Sequence, residues 1–170
     1  VVHAVLELAR NKRMRVGYIE FNHKSFKTVI DEKFFTKEYE TILESSRKTE
    51  CSGNTNYEEA LKDGISDFKG RGLRNKHILF ITDGIPTSGD TEVRAEIQRA
   101  KRLGICIHSI FIGSRNFPII LNRISKETYG SQFVAYRAQN GNIKIERKES
   151  SIQFHRPQNQ RQTEDLLNFI

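Results

Sequence analysis

The spacing of apolar residues changes repeatedly along the chain, and the changes predict alternating helices and strands. The first ten residues have helical spacing, with apolar positions at Val2, Val5, Leu6 and Ala9. Two short β-rich runs follow, VGYIEFN and SFKTVI, and they are close enough in sequence to form a hairpin. We therefore expect an amphipathic helix and then a two-stranded hairpin.

The next two segments also have a helical period. FFTKEYETILESS predicts a helix whose inner side carries Phe35, Tyr39, Ile42 and Leu43. After the loop RKTECSGN, a third helix is predicted from apolar residues that recur on one face, namely Tyr57, Ala60, Leu61, Ile65 and Phe68. Gly70 and Gly72 are expected to end this third helix.

Three apolar runs predict the strands of a parallel sheet. HILFIT, at 77–82, shows no alternation, which is typical of a strand covered on both faces, and ICIHSIFIG and QFVAY are the other two. The intervening segments predict one helix capped by Asp90 and ended by Gly104, and another with Pro118 in its first turn. This order predicts an α/β fold with a doubly wound, Rossmann-like, mostly parallel sheet flanked by helices.

The pattern weakens after residue 136. IKIER predicts one more short strand, and the segment SSIQFHRPQNQRQ that follows is polar and has little to bury. We expect one domain over residues 1–136 and a short strand with a flexible polar tail over 137–170. The terminal TEDLLNFI adds a small apolar face.

Composition narrows the class of protein. A chain of 170 residues with 36% hydrophobic content can form one domain with its own core. No apolar run approaches the roughly 20 residues that span a bilayer, and the start becomes basic after its apolar part, the reverse of a signal peptide. We expect a soluble protein that has no membrane partner.

Cysteine and histidine usage bears on the compartment and on metal chemistry. Cys51 and Cys106 are too few for a disulfide framework, and Cys106 lies in an apolar run where a buried thiol is ordinary. A reducing, intracellular location, cytoplasmic or nuclear, is therefore expected. The five histidines have no HExxH or CxxC companion, so the sequence does not support a zinc site.

The net charge of +7 raises the question of a nucleic-acid partner. Lysine and arginine are spread along nearly every segment, which is typical of a solvated basic surface. Aromatic residues are not interleaved with arginine as they are in a base-stacking platform. Nucleic acid is therefore not the expected partner.

Two loop segments carry the candidate chemistry. Ligands of open parallel sheets bind beyond the carboxyl ends of the strands, which is where SGNTNYEEAL and ITDGIPT are predicted to lie. The hydroxyl of Thr55 and the carboxylate of Asp83 are suitable oxygen ligands for magnesium. A purely structural interpretation is also open, with Thr55 and Glu58 as a capping box and Asp83 followed by Gly84 as a turn with positive φ.

Together these segments resemble two motifs of a known family. The matching residues are Gly53, Thr55, Ala60 and Leu61 in the first segment, and Thr82, Asp83 and Gly84 in the second. In spacing and element order they are similar to the second and third motifs of the metal-ion-dependent adhesion site of von Willebrand factor A (VWA) domains. The resemblance extends over about residues 1–136.

The resemblance implies a metal site and a protein partner. It implies a magnesium ion, or manganese or calcium, bound by Thr55 and Asp83, with Gly53, Asn54 and Gly84 in the site loops. Such an ion would be completed by an acidic residue from a partner protein. Pro86 and Thr87 make the chain similar to the intracellular chelatase D-subunit and nitric-oxide-reductase-activation members, which implies an AAA+ ATPase as a possible partner.

The sequence departs from the family in one respect. The Asp-x-Ser-x-Ser motif, which in the family follows the first, central strand, does not occur in these 170 residues. We therefore expect a VWA domain that lacks its first strand and has two open sheet edges. Metal binding is expected to be weak or absent if that loop is truly missing.

The leading hypothesis is a non-catalytic protein-interaction module, because no nucleophile with an adjacent base can be assembled from the sequence. One alternative is a metal-independent scaffold with a degenerate site. A phosphoryl-transfer enzyme of the haloacid-dehalogenase kind would need a second Asp where Ile85 stands. Another alternative is a nucleic-acid-binding module similar to the VWA-like part of Ku proteins.

Overall fold

A computed structural model describes residues 1–48, 53–70, 72, 75–113, 116–138 and 141–148. Cys51 and the predicted tail beyond residue 148 lie outside these ranges. The chain divides into two compact units, one over residues 1–53 and one that begins at Asn54. The elements in chain order are α1 (Val2–Asn11), β1 (Tyr18–Phe21), β2 (Ser25–Thr28), α2 (Tyr39–Arg47), α3 (Tyr57–Ser66), β3 (Lys76–Thr82), α4 (Arg94–Arg102), β4 (Ile105–Ile112), α5 (Ile119–Glu127), β5 (Gln132–Arg137) and β6 (Ile143–Arg147).

The first unit contains the predicted amphipathic helix and hairpin. β1 and β2 pair antiparallel, with Tyr18 opposite Thr28 and Phe21 opposite Ser25. The buried residues of α1 are Leu6, Leu8 and Ala9. Leu6 and Ala9 were predicted on the apolar face, whereas Val2 and Val5, also predicted there, are not among the buried residues.

The second helix begins later than its sequence pattern predicts. Thr36 forms a β-bridge with Val16 through two backbone hydrogen bonds of 2.9 Å, which holds the preceding segment extended. The Thr36 hydroxyl then accepts a hydrogen bond from the Glu38 amide, and α2 starts at Tyr39. Phe35, predicted on the inner side of this helix, therefore lies before it.

The second unit contains a four-stranded sheet in the order β3-β4-β5-β6. β3, β4 and β5 are parallel, and β6 adds antiparallel to β5, with Phe133 opposite Arg147. This is the predicted α/β class with a mainly parallel sheet, and the predicted short strand IKIER is its outer strand. The boundary predicted at residue 136 thus falls within β5.

β3 is less buried than the sequence predicts. HILFIT was expected to be covered on both faces, yet of its residues Phe80 and Thr82 alone are buried. The reason is position, because β3 is an edge strand and pairs with β4 alone among the described strands. β4, in contrast, lies between β3 and β5 and is buried along most of its length.

Helices α3 and α5 pack on one face of this sheet. The Tyr57 ring of α3 makes an edge contact with Phe80, with centroids 4.8 Å apart. On the same face, the Ser125 hydroxyl of α5 donates to the Ser109 hydroxyl at 2.7 Å, and both side chains are fully buried. Phe80 and Ser109 are register partners, so one continuous layer of the sheet supports both helices.

Two predicted helix boundaries differ from the structure. α3 ends at Ser66, ahead of Gly70 and Gly72, because its last turn tightens into the Phe68-to-Ile65 and Lys69-to-Ser66 backbone bonds. Asp90 does not cap α4, because its carboxylate accepts from the Glu92 amide in a preceding turn. The N-cap is Val93, which is fully buried and adopts a positive φ of 43°.

Candidate metal site at the carboxyl end of the sheet

The loop after β3 is fastened to the start of α3 by hydrogen bonds. The Thr55 amide donates to the Thr87 hydroxyl at 2.9 Å, and the Thr87 amide donates back to the Thr55 carbonyl at 2.9 Å. Farther along, Glu58 accepts from the Asp90 amide at 2.7 Å. Residues more than 30 positions apart in sequence are therefore held side by side at the carboxyl end of β3.

Thr55 does not cap the helix, contrary to the capping-box interpretation. The N-cap is Asn56, whose side-chain oxygen accepts from the Glu59 amide at 3.2 Å. Asn56 takes this role because it is one residue nearer the first helical turn, and asparagine is among the best N-cap residues. Thr55 therefore contributes its backbone to the loop, and within the described part of the chain its hydroxyl makes no hydrogen bond.

The Thr55 hydroxyl lies against the residue that follows Asp83. A methyl group placed on Gly84 would lie 3.3 Å from Thr55 Oγ1, a closer approach than most side chains accept. Gly84 does not adopt a positive φ, so the turn interpretation of this glycine is wrong. What position 84 requires is the absence of a side chain beside Thr55.

The side chain of Tyr57 holds the same loop from the core side. Its hydroxyl donates to the Gly84 carbonyl at 2.6 Å, and its ring is fully buried. Burial, with a smaller contribution from the negative charge of Asp83, raises the pKa of Tyr57 to about 12, and a hydrogen bond with Thr82 partly opposes the shift. The Tyr57 hydroxyl therefore ties the backbone of the residue after Asp83 to the core.

The sequence-predicted site residues thus have different positions. Thr55 and Gly84 come together in the second unit, and Asp83, which precedes Gly84, is exposed directly after the last residue of β3. Asn54 is exposed beside Thr55. Gly53 belongs to the first unit and has a φ of 84°, a conformation that favours glycine.

The donor chemistry of Thr55 and Asp83 fits a hard divalent cation. One neutral hydroxyl and one carboxylate are the oxygen ligands that magnesium accepts, and the ion retains waters at its other positions. Among the described residues, no group of three or more His, Cys, Asp or Glu could hold a metal ion. A cation held by these two residues would therefore need further oxygen ligands.

The structure also brings together two histidines that no sequence motif associates. His77 Nδ1 and His108 Nε2 lie 3.1 Å apart, and His108 Nδ1 accepts from the Ser131 amide at 3.0 Å. Burial lowers the pKa of His77. With each ring nitrogen of His108 engaged in a hydrogen bond, the pair is a structural feature of the β3–β4 ladder. Only the register of β3 and β4, which places Leu79 opposite His108, could have indicated this histidine pair.

Comparison with known proteins agrees with this architecture. The model of the von Willebrand factor type A domain family matches residues 1–148, which includes β6. No curated protein matches the chain significantly in sequence. Within the described ranges, no helix combines the length and apolar character needed to cross a bilayer.

Two solved structures are similar in fold. A von Willebrand factor type A protein from Catenulispora acidiphila gives a TM-score of 0.65 at 13% identity, over 78% of this chain and 33% of that one. This chain therefore spans about a third of the length of that protein. An aerotolerance-related membrane protein from Bacteroides fragilis, solved with multiple mutations to serines, gives a TM-score of 0.53 at 17% identity, over 86% of this chain and 68% of that one.

At such identities the two structures establish the fold, and the family match extends over most of the chain. The parallel sheet, the Thr55 loop and the Asp83 loop are the features that the sequence motifs indicated. The chain belongs to the von Willebrand factor type A domain family.

Proposed function

We propose that this VWA domain is a protein-interaction module that uses a divalent cation, held by Thr55 and Asp83, to bind an acidic side chain of a partner. The observation that supports the proposal is the position of the Thr55 hydroxyl. It lies against Gly84, next to Asp83, and the capping of α3 falls to Asn56. The hydroxyl is thus available for a ligand.

Each residue has a distinct role in this proposal. Asp83 supplies the negative charge that attracts the cation, and Thr55 supplies a neutral oxygen from the facing loop. Gly84 keeps the space between them open, and Tyr57 anchors the Gly84 carbonyl from the buried side. When bound, magnesium, manganese or calcium would present a positive charge that few anionic ligands neutralise and that attracts a carboxylate.

The open edge of β3 affects how tightly the candidate site can bind a cation. The Asp-x-Ser-x-Ser motif of the family is not in this sequence, so its hydroxyl ligands must be replaced by water or by another chain segment. A strand added to the edge of β3 would place its own loop about 5 Å from the β3 loop. We expect weak cation binding by these residues alone and stronger binding when such a strand is present.

The nature of the partner follows the same reasoning. Pro86 and Thr87 are the basis of the similarity to intracellular members that work beside AAA+ ATPases. The Thr87 hydroxyl also accepts a hydrogen bond from the Thr55 amide. We therefore propose an intracellular protein partner, with an AAA+ ATPase as the first one to test. Catalysis is not part of the proposal, because Ile85 stands where a phosphoryl-transfer enzyme of the haloacid-dehalogenase kind needs its second Asp.

The direct test is manganese binding by isothermal titration calorimetry. Asp83→Asn should weaken binding at least tenfold, since it removes the anionic ligand, whereas Asp31→Asn is a control with the same change of charge on an exposed loop of the first unit. Thr55→Val should also weaken binding, while Thr91→Val, an exposed site, should not. Equal affinities for the wild type and Asp83→Asn would contradict the proposal and favour a metal-independent scaffold.

A second measurement addresses the acidic partner. If a carboxylate completes the cation's shell, N-acetyl-aspartate amide should increase manganese affinity, because linkage makes the two binding events mutually favourable. The amide of N-acetyl-asparagine is the matched control and should have no effect. An identical titration with both compounds would argue against recognition of an acidic side chain.

A further inference from the structure

Two large apolar side chains are exposed beside the candidate cation site. Ile85 is 60% exposed in the loop that follows Asp83, and Ile112 is 43% exposed at the end of β4. Isolated exposed apolar residues are common on protein surfaces. These two are distinguished by their position relative to Asp83.

The register of the sheet places Ile112 next to Asp83. Thr82 and Phe111 are the last paired residues of the parallel β3 and β4, and Asp83 and Ile112 directly follow them. Adjacent strands lie about 5 Å apart, so these two residues are neighbours across the end of the sheet. Ile85 follows two residues after Asp83, so the carboxylate has apolar neighbours both along and across the strands.

The charges around this site are also unusual for a chain with a net charge of +7. We define the rim as the described residues 54–56, at the start of α3, together with 83–90, 112–113 and 116–118, in the connections that follow β3 and β4. The rim contains Asp83 and Asp90 but no lysine or arginine. Arg115, in the same connection, lies outside the described residues.

This charge distribution restricts what can bind there. A polyphosphate or a run of acidic residues would face both Asp83 and Asp90, and the Lys148 ammonium, 5.3 Å from the centre of the Phe117 ring, would be the cation beside the described part of the rim. One carboxylate can be accommodated where a cation is held by Asp83 and Thr55. The remaining contact surface, at Ile85 and Ile112, is apolar.

We infer that the rim recognises a protein segment with a single carboxylate flanked by bulky apolar side chains. The carboxylate is bound by the cation, and the flanking side chains pack on Ile85 and Ile112. This inference rests on the proposed function, since the carboxylate requires the cation. It adds the chemistry of the residues on either side of the acidic one.

The test uses three synthetic nonapeptides labelled with a fluorophore and measured by anisotropy in millimolar manganese. The first has a central Asp between leucines, the second has the same Asp between serines, and the third has a central Asn between leucines. We expect the first to bind at least tenfold more tightly than either of the others, because burial of apolar side chains and the carboxylate both contribute.

Variants assign the apolar contribution to the rim. Ile85→Ser and Ile112→Ser should each reduce affinity for the first peptide about tenfold and leave the second peptide unchanged. Ile143→Ser is the matched control, because Ile143 is 68% exposed on β6, outside the rim, and should not alter either affinity. Circular dichroism of each variant establishes that the fold is retained.

The outcomes separate this inference from the proposed function. If manganese binding depends on Asp83 but the first two peptides bind equally well, the apolar part of the inference is wrong and the cation site stands. If Asp83→Asn and EDTA leave binding of the first peptide unchanged, the proposed function itself is wrong. Equal losses in the Ile143→Ser control would also overturn the assignment to the rim.

Discussion

Tyr57 illustrates how a single residue can link the core to the candidate site. Its ring packs on Phe80 and its hydroxyl donates to the Gly84 carbonyl, so the loop that carries Asp83 is tied to a fully buried side chain. Such a hydrogen bond is worth about 1 kcal/mol net, and more when its loss leaves a buried acceptor without a partner. Tyr57 therefore helps to hold Gly84 beside Thr55, and the Gly84 carbonyl also accepts a longer hydrogen bond from the Thr82 hydroxyl at 3.3 Å.

Replacement of Tyr57 by phenylalanine should lower the free energy of unfolding at pH 7 by about 1 kcal/mol, because the ring is kept and the hydrogen bond is lost. Urea denaturation at pH 7 measures the difference. Tyr129→Phe is the control, since Tyr129 is 56% exposed, and its effect should stay within about 0.5 kcal/mol.

The same substitution has a pH dependence whose sign is fixed by the raised pKa of Tyr57. The folded protein keeps this phenol neutral to about pH 12, whereas the unfolded chain ionises near its ordinary value of 10.0. The unfolded state therefore binds fewer protons between these values, and wild-type stability falls as pH rises through this window. The advantage of the wild type over Tyr57→Phe should shrink above pH 10.0 and disappear near pH 11, and a constant difference would contradict the assignment.

At the scale of elements, the composition of a strand does not determine its position in the sheet. HILFIT has the composition of a strand buried on both faces, but β3 is at an edge of its sheet, so most of it is partly exposed. An apolar edge strand without charged residues in its interior is open to pairing with another strand. The sequence predicted the strand itself, and the neighbours available to it determined its burial.

The connection from α5 to β5 contains the closest backbone approach in the second unit among the glycines described. A methyl group on Gly130 would lie 1.8 Å from the Ile107 carbonyl oxygen of β4, which is backbone and cannot turn away. Gly130→Ala should therefore reduce the free energy of unfolding by more than about 3 kcal/mol.

Thermal or urea denaturation checks this prediction against Gly72→Ala. A methyl group on Gly72 meets nothing within 4 Å, so this control should change stability by less than about 0.5 kcal/mol. Similar stability for the two variants would mean that β4 and the α5–β5 connection are farther apart than the structure shows.

At the scale of the whole chain, the net charge is +7, but the positive residues are not distributed over the rim. Positive side chains are exposed on α4 and β6, including Arg94, Lys101 and Lys144, while the rim has none among its described residues. An edge that carries Asp83 and Asp90 on a basic chain is suited to concentrating cations there. The charge as a whole affects nonspecific association.

Binding to DNA should therefore be weak and independent of the candidate site. We expect retention on a DNA column at about 20 mM salt and elution before about 150 mM, since few phosphates would be contacted. Asp83→Asn should elute at about the same salt concentration as the wild type. Retention above 150 mM with a steep dependence on salt would instead favour the Ku-like alternative.

The sequence by itself determined the order of elements, the α/β class, the buried face of α3 and the two loops that carry Thr55 and Asp83. These features follow from local periodicity and from motifs a few residues long, which do not depend on contacts between distant parts of the chain. It did not identify Asn56 as the cap of α3, because Thr55 and Asn56 are both suitable N-cap residues and differ by one position.

The tertiary structure alone decided which groups meet. The approach of Thr55 to Gly84, the pairing of His77 with His108 and the close packing of Gly130 on Ile107 join residues that are more than 20 positions apart. It also decided that β3 is an edge strand, which no property of its seven residues encodes. Such contacts depend on how strands align and which neighbours they have, and this information is distributed over the whole sheet.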